Sequence, residues 1–354
     1  MALHDHVVPL IVEGRTAELA EALIDLPGYA LTNLPAGCMG PALDWLVEAG
    51  RLDEALVLYH SAHAVQAALP LPLSLAEGLA ARGLDDQALD LLKGWREGAR
   101  KRPGEYLTQA DALERLAGPG AALPVMAAAA RAFPQSGAFA SHNARLLLET
   151  GDAAAALAEL DRGLEADPIQ PPWVRGLRAA LSGAPVTLGM LTLELPLDLL
   201  GPGPLLEILR GQHRAGARAA ALAGLADGAA IHDAAAGPGA LALMLAAAAP
   251  GATVSASDPD APLAALAIRN LAANGLAGAL TGALTEGQGA SILITRLTEA
   301  APEIPASVIR LILEPAPGLS APALTAHLTA LFAAGFTLDL AAGGADLVVL
   351  SRPA

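Results

Sequence analysis

The stretch Ile231-His232-Asp233-Ala234-Ala235-Ala236-Gly237-Pro238-Gly239-Ala240 decides how the second half of this chain folds. A β-branched lead-in ends on an acid at Asp233. Three alanines and a Gly-Pro-Gly follow, and an uncharged Ala/Leu run begins at Ala240. That order predicts a strand over 229–233, a tight loop, and a helix over 240–248. In an open parallel sheet, ligands bind at the carboxyl ends of the strands, so the loop lies on the expected ligand side. Gly237 and Gly239 let the backbone approach a ligand and present N–H groups at a helix start. Ala235 stands where a tighter glycine would be usual.

The same alternation continues outward. Towards the C-terminus come a strand over 253–258, a helix over 262–274 and strands over 290–295 and 307–313. A helix over 321–334 and two strands, 336–340 and 346–351, close the chain. Towards the N-terminus, 205–225 reads as an interrupted helix, and 186–188 with 191–195 as a short hairpin. The pattern is that of a doubly wound, Rossmann-like α/β domain over 184–354. Asp258, at the end of the second strand, has two readings. Its carboxylate accepts both hydroxyls of a ribose, or it caps the helix ahead of Pro259. His232 reads as a packed strand residue. Arg296, Glu299 and Glu314 fall near strand ends on the ligand side, where they touch an acceptor or, as charged groups more often do, stay solvated or pair within the domain.

The first half has a different texture and repeats itself. Glycines at 50, 83, 118 and 151 each open a similar segment, as in Thr150-Gly151-Asp152-Ala153-Ala154-Ala155-Ala156-Leu157. Ala55, Ala88, Leu123 and Ala156 stand five residues after these glycines, and larger residues follow at Tyr59, Leu92, Met126 and Leu160. The logic is a helix–turn–helix unit. Glycine makes the turn, a small residue permits a close crossing, and a large one fills the space between units. Pro134 and Pro168 end the last two units. The spacing of about 34 residues is the tetratricopeptide period, so the first domain, 1–183, is expected to be an all-α solenoid. Residues 5–27 read as a degenerate extra unit and 172–181 as a capping helix. Arg96, Arg100, Lys101 and Arg102 read as the solvated end of a repeat helix.

Composition narrows the field. The 354 residues are 54% hydrophobic and 16% charged, which excludes intrinsic disorder. A net charge of −15 argues against a nucleic-acid partner. The one cysteine, Cys38, excludes a disulfide framework and a multi-cysteine metal site, and reads as a small apolar residue. No metal is expected. The long uncharged stretches 234–257 and 315–338 are broken by Pro and Gly, so neither is expected to span a membrane. With no basic leader at the N-terminus, a reducing, cytoplasmic setting is expected.

Asp-x-Ala-x-Gly-x-Gly from Asp233, the acid-Pro pair Asp258-Pro259, and Asn270 with Asn274-Gly275 resemble the first half of a class I S-adenosylmethionine-dependent methyltransferase. Leu191-Thr192-Leu193 and the run from Leu313-Glu314-Pro315 to Gly335-Phe336 resemble FkbM-like members carried behind tetratricopeptide repeats. The resemblance spans about 186–352. It implies that Asp233, Gly237 and Gly239 line the methionine part of bound S-adenosylmethionine and that Asp258 holds its ribose, with Ala235 in the same cofactor-binding loop. The Lys-Ile-Asp-x-Glu-Gly stretch usual near the acceptor of that group has no good copy here. Two functions follow as expectations. One is methyl transfer to a small-molecule or protein-linked acceptor, with the repeats recruiting the substrate or a protein or peptide partner. The alternative is a catalytically degenerate methyltransferase fold serving as a repeat-based adaptor.

Overall fold

A computed structural model describes residues 3–34, 36–65, 69–95, 101–223, 225–226, 228–276, 289–339 and 347–353. The chain divides into two compact units, Met1–Pro168 and Ile169–Ala354.

The first unit is helical. Its helices are α1 (Leu3–Val12), α2 (Thr16–Ile24), α3 (Met39–Glu48), α4 (Leu52–His63) and α5 (Leu73–Ala81), followed by α6 (Asp85–Gly94), α7 (Pro103–Ala117), α8 (Pro119–Ala132), α9 (Gly137–Glu149) and α10 (Ala153–Ala166). Each helix packs on the next, and α3 also touches α5. Gly50, Gly83, Gly118 and Gly151 sit at the expected turns with φ of +76°, +75°, +80° and +94°, a region that L side chains avoid. Ala55, Ala88 and Ala156 are fully buried at the crossings, and Tyr59, Leu92, Met126 and Leu160 fill the interior. The third unit departs from the expected register. Gly118 is followed at once by Pro119 at the first helical position, so α8 begins one residue early. Ala122, not Leu123, then takes the buried small position; Leu123 is half-buried. α8 and α10 end just before Pro134 and Pro168, as expected.

The positive cluster differs from its reading. Lys101 is buried, with its ammonium 5.5 Å from the ring centres of both Trp95 and Tyr106. Arg102 is exposed and paired with Glu105 at 3.1 Å. Arg96 and Arg100 lie outside the described residues. Cys38 is buried, and burial pushes its thiol up to about 11.

In the second unit, α11 (Pro172–Leu181), expected from the sequence to cap the repeats, packs against α13 (Pro202–Leu209) and β1 (Val186–Leu188). Gly176 allows this approach, since a Cβ there would lie 2.8 Å from Leu209 and 3.2 Å from Val186. β1 pairs antiparallel with β2 (Leu191–Leu193), and α12 (Leu197–Leu200) leads into α13. After α14 (Ala215–Ala223) the main alternation begins. It runs β3 (Ala230–Asp233), α15 (Ala240–Ala248), β4 (Thr253–Ala256), α16 (Ala261–Ala273), β5 (Ile292–Leu297), β6 (Arg310–Pro315), α17 (Ala321–Ala333), β7 (Thr337–Leu338) and β8 (Val348–Ser351). The ends of the closing strands expected at Leu340 and Asp346 fall outside the described residues.

Among the described residues the sheet order is β4-β3-β5-β6-β8-β7. β3, β4, β5 and β6 run parallel, while β8 is antiparallel to β6 and β7 to β8. β5 and β6 are central and buried through Ile292, Leu293, Ile294, Leu311, Ile312 and Leu313. The chain leaves β3 to one side for β4 and returns to its other side for β5. That reversal opens a crevice at the carboxyl end of β3, where Asp233 and the Gly-Pro-Gly loop lie.

Candidate functional site

The loop from Ala234 to Gly239 is held at three points by side chains from three different elements. Arg214, in the connection between α13 and α14, donates from Nη1 to the Ala235 carbonyl at 2.9 Å. Asp258, after β4, accepts the Gly237 N–H at 2.7 Å. Asn270, on α16, donates to the Pro238 carbonyl at 2.9 Å.

The N–H groups of the loop are turned inward as well. Ala234 donates to Ile294, Ala236 to Ser257 and Gly239 to Ala236, all to carbonyls. Ala235 donates to the Asp233 carboxylate at 3.3 Å, and Pro238 has no N–H. A loop with its donors engaged in this way offers no nest of free N–H groups for a phosphate.

The five expected site residues divide into two sets. Ala235, Gly237 and Asp258 are half-buried, just beyond the carboxyl ends of β3 and β4. Gly237 has φ +54°, and a Cβ placed there would meet nothing within 4 Å, so its outer side is open. Asp258 has the room to accept more. Its Oδ2 takes the Gly237 N–H and its Oδ1 the Asp260 N–H at 2.9 Å, and each carboxylate oxygen has two lone pairs. Asp260, not Asp258, caps α16, accepting from Leu263 N–H at 3.2 Å. Gly239 and Asp233, by contrast, face inward. A Cβ at Gly239 would sit 3.3 Å from Ala267, so this glycine serves the packing of α15 on α16.

Asp233 is completely buried, and Arg214 Nη1 lies 2.8 and 2.9 Å from its two oxygens. The same guanidinium reaches Glu314 at the end of β6, with Nε 2.7 Å from Oε2. Burial raises the Asp233 carboxyl above its ordinary range, and Arg214 opposes that shift without cancelling it. Arg214 stands at φ +47°, the one non-glycine residue at positive φ among the described residues. Strain of this kind is kept where the surroundings over-determine the backbone. The sequence reading passed over Arg214. Its partners are 19 and 100 residues away, and nothing local marks it.

The remaining candidates have structural partners. His232 is buried between the hydroxyls of Ser255 and Ser257, at 2.9 and 2.8 Å, and burial pushes its imidazole down to about 4. Glu299 accepts from the Ser320 N–H at 2.9 Å, at the start of α17. Arg296 is exposed on β5. In the helical unit, Asp111, Glu114 and His142 bring three possible metal donors together. However, Arg145 puts its guanidinium 2.6 Å from both oxygens of Glu114 and 3.0 Å from His142 Nε2, so a cation already fills that position. No helix among the described residues is long and apolar enough to cross a membrane.

Comparison with known proteins gives one repeat-family match over part of the chain and several solved structures of low similarity. Residues 119–181 match the tetratricopeptide repeat family. No curated protein matches the chain. Among solved structures, YrrB, a TPR protein with an unusual peptide-binding site, is 16% identical with a TM-score of 0.27, covering 42% of this chain and 76% of its own. CalO1, a methyltransferase of calicheamicin biosynthesis in its SAH-bound form, is 18% identical with a TM-score of 0.31, covering 86% of this chain and 99% of its own. The mitomycin 7-O-methyltransferase MmcR is 16% identical with a TM-score of 0.31, covering 79% and 96%. The chain combines a tetratricopeptide-like helical region with an α/β domain built on a mixed sheet.

Proposed function

We propose that the α/β domain binds S-adenosylmethionine as a class I methyltransferase of FkbM-like type, and that the repeat region recruits the substrate or a protein partner. One observation carries the reading: half-buried Asp258 clasps the loop at Gly237 and keeps acceptor capacity beyond the two N–H groups it already takes. A ribose diol is the ligand group that suits a carboxylate in that position. The inward-turned loop N–H groups favour a nucleoside without phosphates over a dinucleotide. Asp258, Gly237 and Ala235 would hold the cofactor, and the cofactor would supply an electrophilic methyl group on its sulfonium. The chain's own part is to fix the nucleoside and so orient that methyl towards the acceptor. The acidic balance of the chain supports a small-molecule or protein-linked acceptor over a nucleic acid.

Calorimetric titration of the full chain with S-adenosylmethionine and S-adenosylhomocysteine, beside Asp258→Ala, tests the reading. Micromolar binding that weakens about tenfold or more in the variant is the expected result. Absence of heat and of thermal stabilisation at millimolar ligand would overturn it, leaving a repeat-based adaptor on a retired catalytic fold.

A further inference from the structure

The first helices of successive repeat units stand side by side, and side-chain contacts step from one to the next. The Ser74 hydroxyl on α5 donates to Asp44 on α3. Arg115 on α7 lies 3.1 Å from Glu77 on α5, and Arg145 on α9 lies 2.6 Å from Glu114 on α7. Asp44, Glu77 and Asp111 fall 33 and 34 residues apart, so one exposed carboxylate recurs at the repeat period on three successive helices of this row.

Each of the three keeps acceptor capacity. Asp111 makes no hydrogen bond or ion pair among the described residues. Glu77 meets Arg115 through one oxygen, with both side chains more than half exposed, and Asp44 takes the hydroxyl of Ser74. A carboxylate has about four acceptor positions, so an incoming cation joins these contacts and displaces none. The Arg145 guanidinium, only 11% exposed, is already matched by Glu114 and Glu149. Beside the acids the surface is apolar. A cavity of about 200 Å³ between α5 and α7 is lined by Leu73, Ala80, Leu92 and Leu116 next to Glu77 and Arg115. Residues 1–168 hold 23 acidic side chains against 12 basic ones, so the surrounding field attracts a cation and repels an acidic segment.

We propose that this row of helices binds an extended, basic segment of a partner protein. Lysine or arginine side chains of the segment meet Asp44, Glu77 and Asp111, and an apolar side chain enters the cavity between α5 and α7. Packed helices lie about 8–10 Å apart and an extended chain advances about 3.3 Å per residue, so basic residues about three apart match successive carboxylates. This partner chemistry rests on the recruiting role proposed above for the repeat region and is independent of the cofactor reading.

Fluorescence anisotropy on the full chain at about 0.15 M salt, with labelled peptides, is the test. The probes are lysine-serine-leucine repeated three times, its composition-matched isomer with the same residues in blocks, and glutamate-serine-leucine repeated three times. The repeating lysine peptide is expected to bind wild type about tenfold or more tighter than its block isomer, and the glutamate peptide not to bind. Asp111→Asn removes a carboxylate that makes no internal contact, and should weaken the repeating lysine peptide about threefold. Asp90→Asn makes the same change of charge on the exposed side of α6, and should alter binding by less than about 1.5-fold. Equal binding of the two lysine peptides, or equal weakening by the two variants, shows attraction to net charge alone and overturns the proposal. Binding of the glutamate peptide instead overturns the basic chemistry and keeps the recruiting role. Binding of no peptide overturns the proposal together with the peptide form of that role. Titration with S-adenosylmethionine reads the cofactor site separately, so none of these outcomes bears on it.

Discussion

The side-chain amide of Asn270 donates to the carbonyl of Pro238 at 2.9 Å, tying helix α16 to the loop that precedes α15. The same side chain accepts the Glu194 N–H at 2.7 Å and donates to the Glu194 carbonyl at 3.0 Å, acting like a strand partner for the segment after β2. Asn274, one turn later, treats Thr192 in the same way, at 2.9 and 2.7 Å. The Asn-x-x-x-Asn spacing therefore places two amides on one face of α16 and docks the hairpin on it.

Asn270 is 1% exposed, so Asn270→Ala removes three hydrogen bonds and leaves the Pro238 carbonyl and both Glu194 backbone groups without this partner. The expected loss of stability is about 3 kcal/mol, read by urea unfolding. A loss below about 1 kcal/mol would mean that water replaces the amide at little cost.

Gly237 and Gly239 differ in what limits them, and alanine substitutions separate the two. Gly237→Ala adds a methyl that meets nothing within 4 Å, so stability falls by only about 1 kcal/mol from the positive φ. The methyl enters the open side of the loop, so nucleoside affinity falls about tenfold or more if the ligand lies there. Gly239→Ala, with φ +78° and Ala267 at 3.3 Å, costs about 2–3 kcal/mol of stability. Adding Ala267→Gly relieves the crowding and not the strain, so recovery is partial. Thermal melts and calorimetry on the same preparations check all three.

His232 makes stability depend on pH. Burial moves its imidazole from 6.5 down to about 4, so the native state refuses a proton that the unfolded chain takes up. The contribution is fully present above about pH 6.5 and is lost as the pH falls towards about 4. At about 1.4 kcal/mol per unit it amounts to roughly 3 kcal/mol. The stability difference between wild type and His232→Gln, measured in urea, should shrink by roughly 2–3 kcal/mol from pH 7 to pH 4.5. A difference that does not change with pH would show that the native imidazole takes up a proton as readily as the unfolded chain does.

The crossing of α9 and α10 depends on Gly163. A Cβ there would lie 2.7 Å from that of Ala140. Gly163→Ala should destabilise by about 1–3 kcal/mol, although alanine favours a helix by about 1 kcal/mol over glycine. Ala140→Gly in that background should restore part of the loss. Equal losses with and without the second change would show that contact with Ala140 is not what costs the stability.

Periodic and local features were legible in the sequence. The glycines at 50, 83, 118 and 151 announced turns because the backbone conformation needed there is one that glycine adopts freely. The loop from Ala234 to Gly239 between β3 and α15 was legible because a strand-to-helix turn has few solutions, but the inward burial of Asp233 was not. Leu123 was placed wrongly because Pro119 directly after Gly118 starts α8 a residue early, and the repeat alignment could not see a helix start. Asp258 left two readings open, and the structure gives the cap to Asp260, whose side chain accepts the Leu263 N–H.

By itself the sequence determined the repeat period, the strand–helix alternation and the position of the Gly-Pro-Gly loop between β3 and α15, since each follows from interactions a few residues apart. Tertiary structure alone decided that Asp233 is closed off by Arg214, that Glu314 shares the same guanidinium, and that Asn270 and Asp258 grip the loop from different elements. The physical reason is range. A turn or a helix is set by local backbone preferences, whereas a buried charge finds its partner only where the folded chain excludes water from both.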